Sequence, residues 1–147
     1  ACRFVSTLVC GTYPCCGFTF TISHNGEVFS FGTNKQSAVY HKRVKIKSLQ
    51  NIHSLDCGGA HTICLDNEGN VYSFGLNYKG ELGVSDTQGI SKNPPHLVAL
   101  PPIKQVSCGN EFTICVKMEM YILLVLMNMD KLALEIVNLQ KYHKKSL

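Results

Sequence analysis

The chain has 147 residues, a formal net charge of +4 at pH 7, and 45% of its residues are hydrophobic. This length suits one domain with a substantial core, and so mild a charge gives no strong preference for nucleic acid as a partner. No uninterrupted apolar run is long enough to span a bilayer, so we expect no membrane partner.

The first predicted element is a β-hairpin over residues 17–32. Residues 1–16 are expected to end a strand that leads into it. Two runs of apolar and aromatic residues flank Gly26, which lies in the turn between them. Residues 33–51 follow as a polar, basic connection with room for one outer strand.

This connection carries the one concentrated basic run of the chain. Alternation with Val44 and Ile46 puts most of its charges on one face of an extended segment. Two interpretations remain open, a strip that contacts phosphates or DNA and a solvated edge strand that its lysines protect from further pairing. We favour the second interpretation. The charged residues of the strip are Lys42, Arg43, Lys45 and Lys47.

A second strand-turn-strand unit occupies residues 57–83. An apolar run at residues 62–65 and an aromatic run at residues 71–74 flank a turn that ends near Gly69. Gly69 is expected to take a positive φ, which costs glycine little energy. The loop after the second strand is marked by Gly75, Gly80 and Gly83.

The units are copies of one another. Residues 17–32 align with residues 60–75 at an offset of 43, and residues 108–115 repeat residues 57–64 at an offset of 51. Strand-turn-strand units at such spacings are typical of propellers and solenoids. One unit cannot bury its own faces there, so neighbouring units must stack.

The third copy is preceded by a loop rich in Ser, Asp, Gly, Asn and Pro at residues 86–95. Residues 96–100 are predicted as an outer strand, and residues 103–116 as the opening hairpin of the copy. The repeat pattern then stops. Residues 121–138 contain no glycine or proline and have the composition and apolar spacing of an amphipathic helix.

The repeat resembles that of the regulator of chromosome condensation family. The pattern of that family combines a Cys-Gly or Ser-Gly pair, a His-Thr or His-Ser pair, a turn glycine, an aromatic strand ending in Trp-Gly or Phe-Gly, and Asn-x-x-Gly-x-Leu-Gly. The second unit matches throughout, whereas the first has Phe18 instead of the histidine and lacks the later glycines. The resemblance covers residues 8–117. The matching positions are Gly26, Gly32, Gly58, His61, Gly69, Gly75, Gly80, Gly83 and Gly109.

The resemblance implies an all-β fold, namely a partial β-propeller with blades of antiparallel strands. From the tail we predict a C-terminal α-helix in addition. Units are expected near residues 8–56, 57–107 and 108–117, followed by a divergent tail at residues 118–147. Members of the family close about seven such repeats into one propeller. We therefore expect the chain to be a fragment of a longer protein.

The tail also leads to a frameshift hypothesis. Methionine is encoded only by ATG, so a displacement of the frame by one base forces Gly, Val and Gly from the codons of Met118, Met120 and Met129. These three fall in register with a glycine, a valine and a glycine of the second unit at a constant offset of 49. We predict that residues 118–147 are an out-of-frame third repeat.

No catalytic or cofactor-binding residues are predicted. His61 occupies the histidine position of the family and is expected to cap or bond backbone inside the blade. Asp66 and Glu68 are turn residues rather than a catalytic pair, and Ser73 lacks the context of a nucleophile elbow. We therefore predict that the chain is not an enzyme.

Eight cysteines are present, but we predict neither a metal site nor a disulfide framework. Cys57 and Cys64 recur one repeat later, and no Cys-x-x-Cys pair occurs. Cysteine in an apolar strand behaves as a small buried hydrophobic residue. With no signal peptide visible, we expect a reducing compartment and a cytoplasmic or nuclear location.

These patterns predict a non-catalytic β-propeller repeat module that binds another protein, with a small GTPase as one candidate. One alternative, implied by the founding member of the family, is a guanine-nucleotide exchange factor for a Ran-type small GTPase in the full-length protein. Another is a non-functional truncated gene product. Nucleic acid or chromatin is the weaker partner prediction and depends on the basic strip.

Overall fold

The structure is a computed structural model that describes residues 5–13, 16–34, 37–84, 92–117 and 123–126, with side chains for residues 19–32, 43–84 and 94–117. These residues form eleven strands in three antiparallel sheets. Sheet 1 contains β1 (Val5–Tyr13), β2 (Cys16–Ser23), β3 (Val28–Asn34) and β4 (Ser37–Lys45). Sheet 2 contains β5 (Ile52–Cys57), β6 (His61–Asp66), β7 (Val71–Gly75) and β8 (Lys92–Leu97). Sheet 3 contains β9 (Gln105–Cys108), β10 (Thr113–Val116) and β11 (Leu123–Leu126).

Each sheet is a meander in which every strand pairs with the next one along the chain. The first strands of the sheets, β1, β5 and β9, lie beside one another, and β6 also contacts β9. The sheets therefore stack face to face. Because strand direction alternates, the turns after β2 and β6 lie at one end of the stack, which we call the turn end. The connections after β5, β7 and β9 lie at the opposite end, the loop end.

Strand β6 explains why the sheets stack. All six of its residues are buried, because each face of the strand is covered by a neighbouring sheet. Ile63 and Leu65 point towards sheet 3, whereas Cys64 points towards sheet 1, as expected from the two-residue period of a strand. The core between sheets 2 and 3 comprises Ile63, Leu65, Val71, Val98, Ile103, Val106 and Cys115. The core between sheets 1 and 2 comprises Phe20, Ile22, Val28, Leu49, Ile52, Leu55, Cys64 and Phe74.

Glycines at the turn end allow each hairpin to contact the segment that enters the next sheet. Gly26 and Gly69 have φ values of 72° and 88°, which confirms the positive φ predicted for Gly69. The Gly26 carbonyl accepts a hydrogen bond from the Ile52 amide at 3.1 Å, and the Gly69 carbonyl accepts one from the Ile103 amide at 2.9 Å. A Cβ at Gly26 would lie 2.7 Å from the Cα of Asn51, so no side chain fits there.

A carboxylate near the loop end joins the first strands of sheets 2 and 3. Asp56 accepts hydrogen bonds from the Ser107 hydroxyl at 3.0 Å and from the Cys108 amide at 2.8 Å, both in β9. Its other oxygen accepts the Cys57 amide at 2.8 Å. One side chain on β5 thus satisfies polar groups of two strands.

We expect Asp56→Ala to lower the free energy of unfolding by about 1–2 kcal/mol, because three donors lose a charged acceptor. Urea denaturation followed by circular dichroism measures this change. Ser107→Ala is the matched control, since it removes one of the three bonds, and it should cost less than half as much. Equal stability of Asp56→Ala and the wild-type chain would contradict an inter-sheet role for this carboxylate.

The outer strand of sheet 2 starts earlier than predicted. The expected strand at residues 96–100 is β8, Lys92–Leu97, which includes Pro94 and Pro95. Proline has no amide donor, but an outermost strand needs no donor on its outward side. The register of β8 against β7 shifts between Ser73 and Gly75.

The predicted helix is wrong at Leu123–Leu126, which form β11. This strand pairs with β10, for example Cys115 with Leu124, as β7 pairs with β6 in the sheet before. The edge of β10 offers unpaired backbone groups, and satisfying them outweighs a weak local preference for helix. The remainder of the predicted helix lies outside the described residues. The strand takes the place of residues 71–74 at an offset of 52. The frameshift hypothesis concerns the transcript and stays a prediction.

Candidate protein-interaction surface

Three connections at the loop end form one surface. They are residues 58–60 and 76–84 of sheet 2 and residues 109–112 of sheet 3. The Gly59 amide donates to the Asn110 carbonyl at 2.9 Å, and the Leu76 amide donates to the Ala60 carbonyl at 2.9 Å. We call this group of connections the loop-end surface.

Buried polar side chains hold residues 76–84 in one conformation. The Asn77 side chain is fully buried, accepts the Leu82 amide at 3.0 Å and donates to the Val84 carbonyl at 3.3 Å. The Ser73 hydroxyl donates to the Leu82 carbonyl at 2.8 Å. The carboxylate of Glu81 accepts the Lys79 amide at 2.8 Å. Hydrogen bonds to side chains therefore hold the loop that follows β7 within sheet 2.

The tip of this loop presents an aromatic side chain to solvent. Tyr78 is 62% exposed, and Lys79 beside it is also exposed. Asn110 and Glu111 are exposed on the neighbouring connection of sheet 3. A tyrosine on a rigid loop provides a large contact area with a polar hydroxyl, a combination that is common at protein interfaces.

His61 is a buried, neutral group that joins two sheets. Its Nε2 lies 2.9 Å from the hydroxyl of Thr113 in sheet 3. The prediction placed the contact of this side chain inside its own blade, whereas this bond reaches the next sheet. Burial lowers the pKa of His61 from 6.5 to about 4, and this effect exceeds the opposing effects of Asp56 and the Phe112 backbone. A neutral imidazole buried in this way has no access to a substrate.

The predicted repeat glycines lie at the ends of strands and in the connections, except Gly32, which lies within β3. Gly58 packs so closely on the His61 ring, and Gly109 on the Phe112 ring, that a Cβ at either position would overlap the ring. A Cβ at Gly75 would lie 2.5 Å from the Ala60 carbonyl oxygen. The glycines with positive φ are Gly26, Gly32, Gly69, Gly75, Gly80 and Gly83.

The basic strip lies on and beside β4, the outer strand of sheet 1, and is not part of the loop-end surface. The guanidinium of Arg43 lies 3.6 Å from the centre of the Phe29 ring. Lys45 forms an ion pair with Glu27. Lys47 is exposed, and the side chain of Lys42 lies outside the described residues. Two of the four residues, Arg43 and Lys45, thus have a contact within the chain.

The cysteines whose side chains are described are thiols in the core or at its border. Cys64 and Cys115 are fully buried, and burial raises the pKa of the Cys64 thiol and raises that of Cys115 to about 12. Cys57 packs against the core between sheets 1 and 2, and Cys108 packs against the core between sheets 2 and 3, so the two lie on opposite sides of sheet 2.

Among the described side chains, no three His, Cys, Asp or Glu groups come together in a way that could hold a metal ion. In the same part of the chain, no helix has the length and apolar character needed to cross a membrane.

Several residues that form the loop-end surface or support it from below were not identified from the sequence. Thr113 aligns with Thr62 at the repeat offset, but its hydroxyl contacts depend on how the sheets stack. Asn77 belongs to the repeat pattern, although nothing in the pattern shows that it clamps a loop. Tyr78 carries no sequence signal except its place between an asparagine and a glycine.

Three consecutive antiparallel meanders stacked through their faces, with their first strands side by side, are blades of a β-propeller. The structure resembles Prp20p from Saccharomyces cerevisiae with a TM-score of 0.66 and 21% identity, over 80% of this chain and 30% of that one. It also resembles human WBSCR16 with a TM-score of 0.62 and 16% identity, over 77% of this chain and 30% of that one. At these identities the likeness defines the fold.

The sequence comparisons define the family. The two models of the regulator of chromosome condensation (RCC1) repeat match residues 52–81 and 68–116. Protein RCC2 from Homo sapiens is 31% identical over 74% of this chain, and the regulator of chromosome condensation from Homo sapiens is 32% identical over 68%. The chain belongs to the RCC1 repeat family. It spans 22% of the length of the first of these relatives and 25% of the second.

Proposed function

We propose that this chain is a non-catalytic β-propeller repeat module that binds another protein through its loop-end surface. One observation carries the proposal: residues 76–84 are fixed by buried polar side chains while Tyr78 at their tip is 62% exposed. Loops held by a rigid scaffold commonly carry recognition. A preorganised loop also loses little conformational entropy when it binds a partner.

The charges favour a protein partner over nucleic acid. The exposed groups of the surface include both Lys79 and Glu111, so the surface has no single sign of charge. On the basic strip, Arg43 and Lys45 already have partners within the chain. Phosphate binding needs several unpaired cations along one path, so the strip is a weak candidate for contact with DNA or chromatin.

The solved relative Prp20p supplies the probes for a binding test. Its crystal structure was described together with its binding properties to Gsp1p and histones. We extend this to the present chain as candidate partners, with a small GTPase as the first. Such partners fit a cytoplasmic or nuclear location, where thiols such as those of this chain stay reduced.

We expect Tyr78→Ala to weaken binding of the chain to Gsp1p or to histones about 30-fold, because truncation of a central aromatic contact typically costs about 2 kcal/mol. Biolayer interferometry with each immobilised probe measures the affinity. A joint Lys42→Ala, Arg43→Ala, Lys45→Ala and Lys47→Ala variant is the control and should retain binding. Absence of binding to both probes, or binding that Tyr78→Ala leaves unchanged, would contradict the proposal.

The exchange-factor alternative has a separate readout. Acceleration of nucleotide release from a Ran-type small GTPase at catalytic concentrations of this chain would favour exchange activity over simple binding. The truncated-product alternative is tested by sequencing the transcript across the codons for residues 116–147. A displaced frame that continues into further glycine-rich repeats would support it.

A further inference from the structure

The hydroxyl of Thr113 joins three parts of the molecule. Thr113 is the first residue of β10 in sheet 3 and is fully buried. Its hydroxyl donates to the Glu81 carbonyl in the loop of sheet 2 at 3.1 Å, and it lies 2.9 Å from Nε2 of His61 in β6. A residue of sheet 3 thus contacts residues 76–84 of sheet 2, which we call the recognition loop.

The direction of these bonds follows from the protons available. The Thr113 hydroxyl has a single proton, and the Glu81 carbonyl can only accept it. When the hydroxyl donates to Glu81, it accepts from Nε2–H of His61, so the donor and acceptor roles of this pair depend on the tautomer of the imidazole. These contacts connect His61 through Thr113 to the backbone of the loop at Glu81.

We propose that docking of sheet 3 positions the recognition loop of sheet 2, with Thr113 as the positioning residue. This inference rests on the proposed function of the loop-end surface and adds a condition to it. The side chains of Asn77 and Glu81 shape the loop from within. Thr113 anchors the same loop from the neighbouring sheet, so the binding conformation depends on both blades.

The chain contains a matched comparison for this arrangement. Thr62 occupies the same repeat position in sheet 2, is equally buried and also has a cysteine near its hydroxyl, at 3.6 Å from Cys57. The residue at the histidine position of the first unit is Phe18, which has no hydrogen-bond donor on its side chain. Of the two threonines, Thr113 is the one whose hydroxyl bonds the Glu81 carbonyl.

Hydrogen–deuterium exchange of the full chain, without a partner, tests the proposal. In Thr113→Val we expect the amides of Lys79 and Leu82 to exchange about tenfold faster, because the loop loses a buried bond and the Glu81 carbonyl is left unsatisfied. Thr113→Ser keeps a hydroxyl and should retain wild-type exchange. Thr62→Val should leave the loop amides unchanged.

The outcomes separate this inference from the proposed function. Unchanged exchange of the loop amides in folded Thr113→Val, or equal acceleration in Thr62→Val, would overturn the inference whatever the binding result. If Thr113→Val does not fold, Thr113→Ala removes the same hydroxyl from a smaller side chain and provides the second test. We expect about tenfold faster exchange of the loop amides in this variant as well. No acceleration in it would then overturn the inference.

Discussion

Replacement of Leu65 by alanine should lower the free energy of unfolding by about 2–5 kcal/mol, the usual range for truncation of a fully buried leucine. Leu65 has no exposed surface and lies in the core between sheets 2 and 3. The loss combines the transfer of apolar atoms with the cavity that remains. Cavities persist here because strands on both sides of β6 limit collapse.

Urea denaturation monitored by circular dichroism measures this loss, and the chain offers a matched control. Leu97, at the end of β8, is 60% exposed, so Leu97→Ala should change stability by no more than about 0.5 kcal/mol. Similar effects of the two substitutions would show that β6 is not enclosed between two sheets. The stacking of blades would then have to be revised.

Acidification from pH 7 to pH 5 should destabilise the chain by about 2 kcal/mol through His61 alone. The pKa of His61 is lowered by burial from 6.5 to about 4, so the unfolded chain binds this proton more readily than the folded one. The stability is therefore fully present above pH 6.5, falls as the pH decreases and levels off below pH 4. The total loss across this window is about 3 kcal/mol.

The measurement is the unfolding free energy at several pH values between 7 and 4. His61→Phe has no group to titrate and should show a pH dependence flatter by about 2 kcal/mol between pH 7 and pH 5. Asp66 does not contribute to this difference between pH 7 and pH 5, because it titrates at lower pH. Burial raises the pKa of its carboxyl, but hydrogen bonds from Asn70, Glu68 and Tyr72 outweigh burial and hold the pKa below 3.8. A slope that is the same in His61→Phe and in the wild-type chain would contradict the assignment.

The sequence predicted the repeating hairpins because their signals are local. Gly69 marks the turn after β6, and the apolar run at residues 62–65 predicts a buried strand. Their place in such apolar strands identifies Cys64 and Cys115 as core residues, which their complete burial confirms. These features depend on neighbours a few residues away, so one unit contains the information needed.

Contacts between sheets were not predictable in the same way. Asp56 bonds Cys108, and His61 bonds Thr113, across about one full repeat of sequence. Such pairs form only when the sheets take a particular stacking, which no single unit specifies. The tail was predicted as helix from composition, but the free edge of β10 gives Leu123–Leu126 a partner that composition does not reveal.

The two ends of the stack differ in how freely their connections change length. At the turn end, the segments that enter the next sheet, residues 46–51 and 98–104, are nearly equal in length. Ile52, directly after the first segment, and Ile103, in the second, each bond a turn glycine. At the loop end, β3 and β4 are joined by residues 35–36 alone, whereas β7 and β8 are joined by residues 76–91. Lengthening a surface loop costs little entropy, so connections of very different length are compatible with the same stack of sheets. The two apolar cores contain none of residues 76–84, so the architecture separates the part that defines the propeller from the part that can be varied for a new partner.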